Sequence, residues 1–339
     1  AWPPAADPAG APDQRILRTP LKVAAGYAVR GDAATAERRF DAARAYYDRW
    51  EAEWEGSPTA QLALELKGES FAQQGRFAEA VATLELFDAR YGSDANRASL
   101  WLRLAEIYAT GHGMNSKAAE YYTKVEIGYP NDTSGATASV ALAVLDIDAG
   151  RHAQGRARLE RTLSQFKDQR TVSATAMHYL AVSYEREGNW ETAATRYNAL
   201  AQEHPSTLYG MEAPLRVARH YRAAGEEEAA EAAFERAVQQ YERICSEAES
   251  TPAELAARSY LVEARLDQRR WADAAKTLVE TAERFADSDA APGMLLQAAD
   301  LYTTKLGDAA KAAEVLGKVL DDYPETPAAR EAESRLAAL

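Results

Sequence analysis

Five histidines, one cysteine and two near-neighbour aspartates are the residues of this chain with the widest chemistry. His112, His152, His178, His204 and His220 are natural metal ligands and proton carriers, but a helical ligand pair needs a second histidine three or four residues on. None of the five has one. Asp146 and Asp148 come nearest to a paired carboxylate; two apart on a helix they point in different directions, so both are expected to face solvent. Cys245 is the single cysteine, which excludes an internal disulfide and reads as a packing residue rather than a nucleophile. No glycine-rich phosphate loop occurs, and Asn131-Asp132-Thr133 is a glycosylation triplet that matters only in a secretory eukaryotic setting. These residues predict no catalytic group, no metal site and no cofactor, hence no enzyme.

The sharpest remaining signal is cationic. Arg216, Arg219 and Arg222 recur every third residue, and Arg186 and His178 lie one repeat earlier, in a chain of 339 residues whose formal net charge is −13. Arginine forks bind carboxylates bidentately, and Tyr179 and Tyr260 add amphipathic contact area, so this patch is a candidate site for an acidic or C-terminal peptide segment. The competing reading pairs these arginines with Glu226, Glu227 and other local acids on a solvated surface. A second basic run, Arg151 to Arg170, holds six Lys or Arg against Glu160 and Asp168 and falls mostly on an outer helix. A sequence pI near 5.0 excludes a sustained nucleic-acid footprint.

The elements that position these residues are repeated. A small residue opens a second helix at Ala36, Ala80, Ala118, Gly155, Ala193, Ala230, Ala274 and Ala312, at intervals of 44, 38, 37, 38, 37, 44 and 38. A small-plus-aliphatic pair and an aromatic precede most of them, as in Leu180-Ala181 and Tyr184, or Val217-Ala218 and Tyr221, spaced to share one face of a first helix. Gly31, Gly75, Gly150, Gly188 and Gly225 fall where the chain must turn left-handed, while Arg269 takes that place in the seventh unit and predicts a distorted or weaker turn. Tyr129-Pro130, His204-Pro205 and Tyr323-Pro324 stop second helices, and Ser93, Thr133, Thr171, Ser206, Ser288 and Thr326 are placed to cap the next ones. The two intervals of 44 call for longer helices or loops; Trp50 and Trp54 lie in the first, on one helix face, and are expected to pack it.

This pattern resembles the tetratricopeptide repeat over roughly residues 17 to 325, most specifically in the third, fifth, sixth and eighth units, with Asp146 and Gly155 departing from it in the fourth. The resemblance implies an all-α, right-handed superhelical α-solenoid of about eight helix-turn-helix units, near 17–56, 60–93, 98–132, 136–169, 174–206, 211–247, 255–288 and 292–325. Residues 1–16, rich in Pro and Ala, read as a linker left after processing. Residues 326–339 read as a C-terminal capping helix with Ala328, Ala332, Leu336 and Leu339 on its inner stripe. In the family the first helices line a concave groove, which here would include Glu65, Glu69, Arg103, Val182 and Leu215 besides the cationic patch. The Lys and Asn clamp that grips a terminal carboxylate in eukaryotic co-chaperones is not reproduced in three consecutive units.

The resemblance further implies a non-enzymatic scaffold that binds protein partners along the groove. The long period and the Tyr-Pro or His-Pro helix ends are similar to bacterial envelope members such as the β-barrel assembly lipoprotein and the Tol-Pal-associated periplasmic protein. Periplasmic or outer-membrane-associated placement is therefore expected, an upstream lipid anchor being compatible with it, with a cytoplasmic setting as the alternative. No run approaches the ~18 apolar residues that cross a bilayer. A self-assembling structural protein and a ligand-binding or enzyme subunit are the competing classes.

Overall fold

Alanine opens the second helix of every unit but one because nothing larger fits there. Ala36, Ala80, Ala118, Ala193, Ala230, Ala274 and Ala312 are all buried, six of them completely. The exception is Gly155, where even a Cβ would lie 2.8 Å from the Ala143 carbonyl oxygen and 2.7 Å from Ile147. The departure in the fourth unit is thus the family rule carried one step further, a still smaller residue at a still closer approach of helices.

The computed structural model describes residues 14–111 and 113–339; His112 and most of the 1–16 segment lie outside the described residues. Among the described residues there are seventeen α-helices and no strand. The first helices of successive units are α1 (Gln14–Val29), α3 (Pro58–Gln73), α5 (Asp94–Thr110), α7 (Thr133–Asp148), α9 (Arg170–Arg186), α11 (Leu208–Ala223), α13 (Pro252–Asp267) and α15 (Ala291–Leu301). The second helices are α2 (Ala33–Glu53), α4 (Phe77–Tyr91), α6 (Asn115–Gly128), α8 (His152–Gln165), α10 (Trp190–Glu203), α12 (Glu227–Glu247), α14 (Trp271–Arg284) and α16 (Ala309–Asp322), and α17 (Pro327–Leu336) ends the chain. This is the expected all-α solenoid of eight helix pairs and a terminal helix. By internal packing the chain falls into two compact units, one ending at Thr162 and the other running Leu163–Leu339.

Within each unit a helix packs on its sequence neighbours, and first helices also touch, as α1 does α3 and α9 does α11. Both long intervals are absorbed as helix. α2 and α12 each have 21 residues, where the other second helices have 14 or 15. Trp50 is buried on the extension of α2 and Trp54 lies tilted beside it with ring centroids 6.2 Å apart, so the pair packs the enlarged helix. A relation missed in the sequence also emerges: helix starts at 14, 33 and 58 recur at 208, 227 and 252, a constant offset of 194 residues. Equivalent parts match. Pro20 and Pro214 sit inside α1 and α11, and buried Tyr47 and Tyr241 donate to the Leu17 and Met211 carbonyls at 3.1 and 2.6 Å.

The turns follow the sequence closely. All five expected glycines have φ between 71 and 80°, and Gly113 and Gly307 adopt the same hand. Arg269 is no distortion: it takes φ 58° and its turn keeps the hydrogen bonds of the glycine turns, Arg270 N–H to Arg265 O at 2.8 Å matching Asp32 N–H to Tyr27 O at 3.1 Å. In the eighth unit ten positions separate Tyr302 from Ala312, against nine between Tyr184 and Ala193. The extra residue is taken up in a π-helical turn, Tyr302–Leu306.

Helix starts were read less well. Ser93 and Thr326 are N-caps as expected, but the caps of α7, α9, α11 and α15 are Asp132, Gln169, Thr207 and Ala290 rather than Thr133, Thr171, Ser206 and Ser288. After each proline stop the cap falls two residues on, at Asp132, Thr207 and Thr326, so the expected Thr133 and Ser206 are each one residue off. The inner stripe of α17 also needs correction: Ala329 and Ala332 are buried, whereas Leu336 and Leu339 are 38% and 46% exposed. Arg335 ties α17 to α15 through the Leu296 carbonyl and Asp300.

Candidate partner-binding surface

Three arginines spaced by three on α11 point toward the first helices on either side, because an i, i+3 row follows one flank of a helix. Arg216 reaches back to α9, with Nε 2.9 Å from Glu185, and along its own helix, with Nη1 3.4 Å from Glu212. Arg219 reaches forward to α13, 2.8 Å from Glu263 and 2.7 Å from Asp267. Arg222 donates to the Asp267 carbonyl at 2.5 Å and lies over the Phe234 ring. Tyr197 closes the ladder by donating to Glu185 at 2.6 Å. The patch is therefore no basic island, since four carboxylates answer three guanidiniums. Its partners are Glu185, Glu212, Glu263 and Asp267, not Glu226 and Glu227. Burial opposes the charge on Arg216 and Arg219, yet the carboxylate hydrogen bonds prevail and hold both above the usual arginine range.

The structure brings most of the other expected residues to this face. Tyr179 and Tyr209 are half-buried with ring centroids 6.2 Å apart, and Tyr260 stacks on buried Tyr241 at 5.7 Å. Burial and neighbouring Tyr179 push the Tyr209 phenol up to about 12, and burial with Glu212 and Glu263 raises Tyr260. Arg186 is exposed at the end of α9. His178 is not a contact residue: it is 6% exposed, its ring stacked on Tyr209 at 4.0 Å, and burial beside Arg216 lowers its pKa to about 4. Val182 and Leu215, expected in the groove, are buried core. In the first unit Glu65, Glu69 and Arg103 do come together, around a cleft of about 160 Å³ between α3 and α5, with Arg103 3.5 Å from Glu69.

The residues with intrinsic chemistry are arranged for structure. Asp146 is not solvent-facing: it is buried, 2.8 Å from Arg151 and 3.9 Å from Arg158, which also holds Glu126 on α6. Asp148 is exposed as expected. Ser173 Oγ and His204 Nε2 lie 3.0 Å apart, joining α9 to the end of α10, a pair that spacing in sequence does not reveal. Burial pushes the Cys245 thiol up, which makes it a poor nucleophile. Among the described residues no three His, Cys, Asp or Glu side chains gather as a metal site, and no helix is long and apolar enough to cross a membrane.

Tetratricopeptide repeat profiles match residues 29–95, 175–207 and 294–326. Among solved structures, yeast Tom70 aligns at TM-score 0.51 and 13% identity over 89% of this chain and 59% of its own. A tetratricopeptide repeat protein from Parabacteroides merdae aligns at 0.43 and 18% over 82% and 96%, and PilW, described as a widely conserved type IV pilus biogenesis factor, at 0.43 and 13% over 71% and 98%. These likenesses concern the fold. No curated protein matches the chain.

Proposed function

We propose that the chain, a tetratricopeptide repeat protein, acts as a scaffold for protein interaction and holds an extended partner segment across α9, α11 and α13. The observation that carries this reading is the set of half-buried tyrosines, Tyr179, Tyr209 and Tyr260, beside an ion-pair ladder whose guanidiniums are already oriented. Tyrosine gives large amphipathic contact at small entropic cost. Arg219 keeps about half its side chain open to solvent, and exposed ion pairs contribute only ~0–1 kcal/mol, so an acidic side chain or terminal carboxylate of the partner can displace Glu263 or Asp267 at little cost.

We place this activity in a bacterial envelope assembly, in the periplasm or at the outer membrane, on the strength of the Tyr-Pro and His-Pro helix ends. The test is site-specific photocrosslinking in the native cell. A crosslinker at Tyr179 or Tyr260 should trap a partner peptide, and Arg219→Glu should weaken the adduct. Equal yields with and without that reversal would remove the site, and a cytoplasmic partner would remove the envelope setting.

A further inference from the structure

On the second-helix side of the same unit the charge pattern inverts. Arginines such as Arg219, Arg258 and Arg270 are held by carboxylates, but Arg236 and Arg243 on α12 are exposed and carry no ion pair among the described residues. Both line a groove of about 470 Å³ between α10 and α12, over α11. Its walls are amides, Asn198 and Gln202 from α10 and Gln239 and Gln240 from α12, and its floor is apolar, with Pro214 and Val217. No carboxylate lines it, in a chain with 52 Asp and Glu against 39 Lys and Arg.

The floor is built around a backbone defect. Pro214 has no N–H to give the Gly210 carbonyl four residues back, and Gln240 Nε2 supplies the donor at 3.2 Å. That bond orients Gln240 and joins α12 to α11 at the base of the groove.

We propose that this groove docks an acidic segment of a partner protein. Arg236 and Arg243 are seven residues apart, two turns of α12, so their stems stand about 10 Å apart at 1.5 Å per residue. One turn of a polyproline II chain, three residues at ~3.1 Å each, spans about the same distance and brings its side chains back to one face, so the matching occupant carries carboxylates at i and i+3, with its backbone on the amide walls. Arginine forks bind carboxylates bidentately and amides satisfy a backbone in either direction. The overall charge of −13 repels a polyanion, so capture of one must be local to a patch such as this.

The test is fluorescence anisotropy of the full chain with a labelled peptide carrying two Glu-Ser-Ser-Glu units. Saturable binding is expected at low salt, at least tenfold weaker with Arg236→Glu or Arg243→Glu and unchanged with Arg330→Glu on α17. A peptide of equal charge with adjacent glutamates should bind more weakly. Circular dichroism of the two reversal variants checks the fold, and Arg236→Gln and Arg243→Gln repeat the measurement with a milder change. Loss of binding in Arg219→Glu alone would move the acidic segment to the first-helix face and overturn this proposal while leaving the previous one standing. No saturable binding, or tighter binding of a thymidine oligonucleotide lost in the same variants, would also overturn it.

Discussion

Acidification should loosen the second unit through one side chain, His178. Its imidazole is 6% exposed, stacked on Tyr209, edge-on to Tyr179, and faces Tyr197, the Arg216 guanidinium and the Glu185 carboxylate. Burial disfavours its charged form most, Arg216 adds to this, and Glu185 opposes; together they lower the pKa from 6.5 to about 4. Between these values the unfolded chain binds a proton that the folded chain refuses. Stability therefore rises with pH across this window, is complete above 6.5 and is lost as pH falls toward 4. At roughly 1.4 kcal/mol per pKa unit the whole window is worth about 3 kcal/mol. His178→Phe keeps a ring on Tyr209 and removes the titration. Urea unfolding of the full chain at pH 7 and 4.5 should show a loss on acidification about 2 kcal/mol smaller in the variant, the carboxylates titrating alike in both. Parallel losses, or an imidazole that titrates by NMR near 6.5, would refute the reasoning.

Gly155→Ala should destabilise the first unit by about 1–3 kcal/mol, since its Cβ would meet the Ala143 carbonyl oxygen at 2.8 Å; an unchanged urea midpoint would show that α7 and α8 can part freely. Arg269→Gly should raise the melting temperature slightly, because a non-glycine residue at φ 58° costs about 1–2 kcal/mol, partly offset by the freer unfolded chain; a fall would show that the arginine has a compensating contact. Truncation after Pro324 removes α17, uncovers the surface against which Ala329 and Ala332 pack, and breaks the Arg335 bonds to α15, so the melting temperature should drop; an identical melt would reject a capping role.

The frame was legible because each of its parts is fixed by local physics. Close contact demands Ala36 or Gly155, the left-handed turn favours Gly188, and Pro205 forbids continuation. The surface was misread because its partners lie one repeat away. Glu185 is 31 residues before Arg216, and Glu263 and Asp267 are 44 and 48 after Arg219, so a search of nearby acids such as Glu226 finds the wrong ones. Asp146 was misread for a different reason: its partners Arg151 and Arg158 are near in sequence, and its burial rests on them rather than on the direction of its own side chain. Adding one period to each charged position would have found the Arg219 pairs.

The 194-residue correspondence separates what the fold requires from what one surface adds. Tyr241 keeps the hydroxyl bond of Tyr47, so that contact belongs to the shared frame. Arg243 also has a counterpart, Arg49, but there the guanidinium lies over the Tyr46 and Trp50 rings, at 5.6 and 5.9 Å. In α12 those aromatic positions are Gln240 and Ile244, and Arg236 stands where α2 has Ala42. An extended second helix packs equally well with aromatics on that flank. Gln240 is tied to the fold through the Gly210 carbonyl, but Arg236 and Arg243 pair with no acid among the described residues, and they meet in a groove that no carboxylate lines.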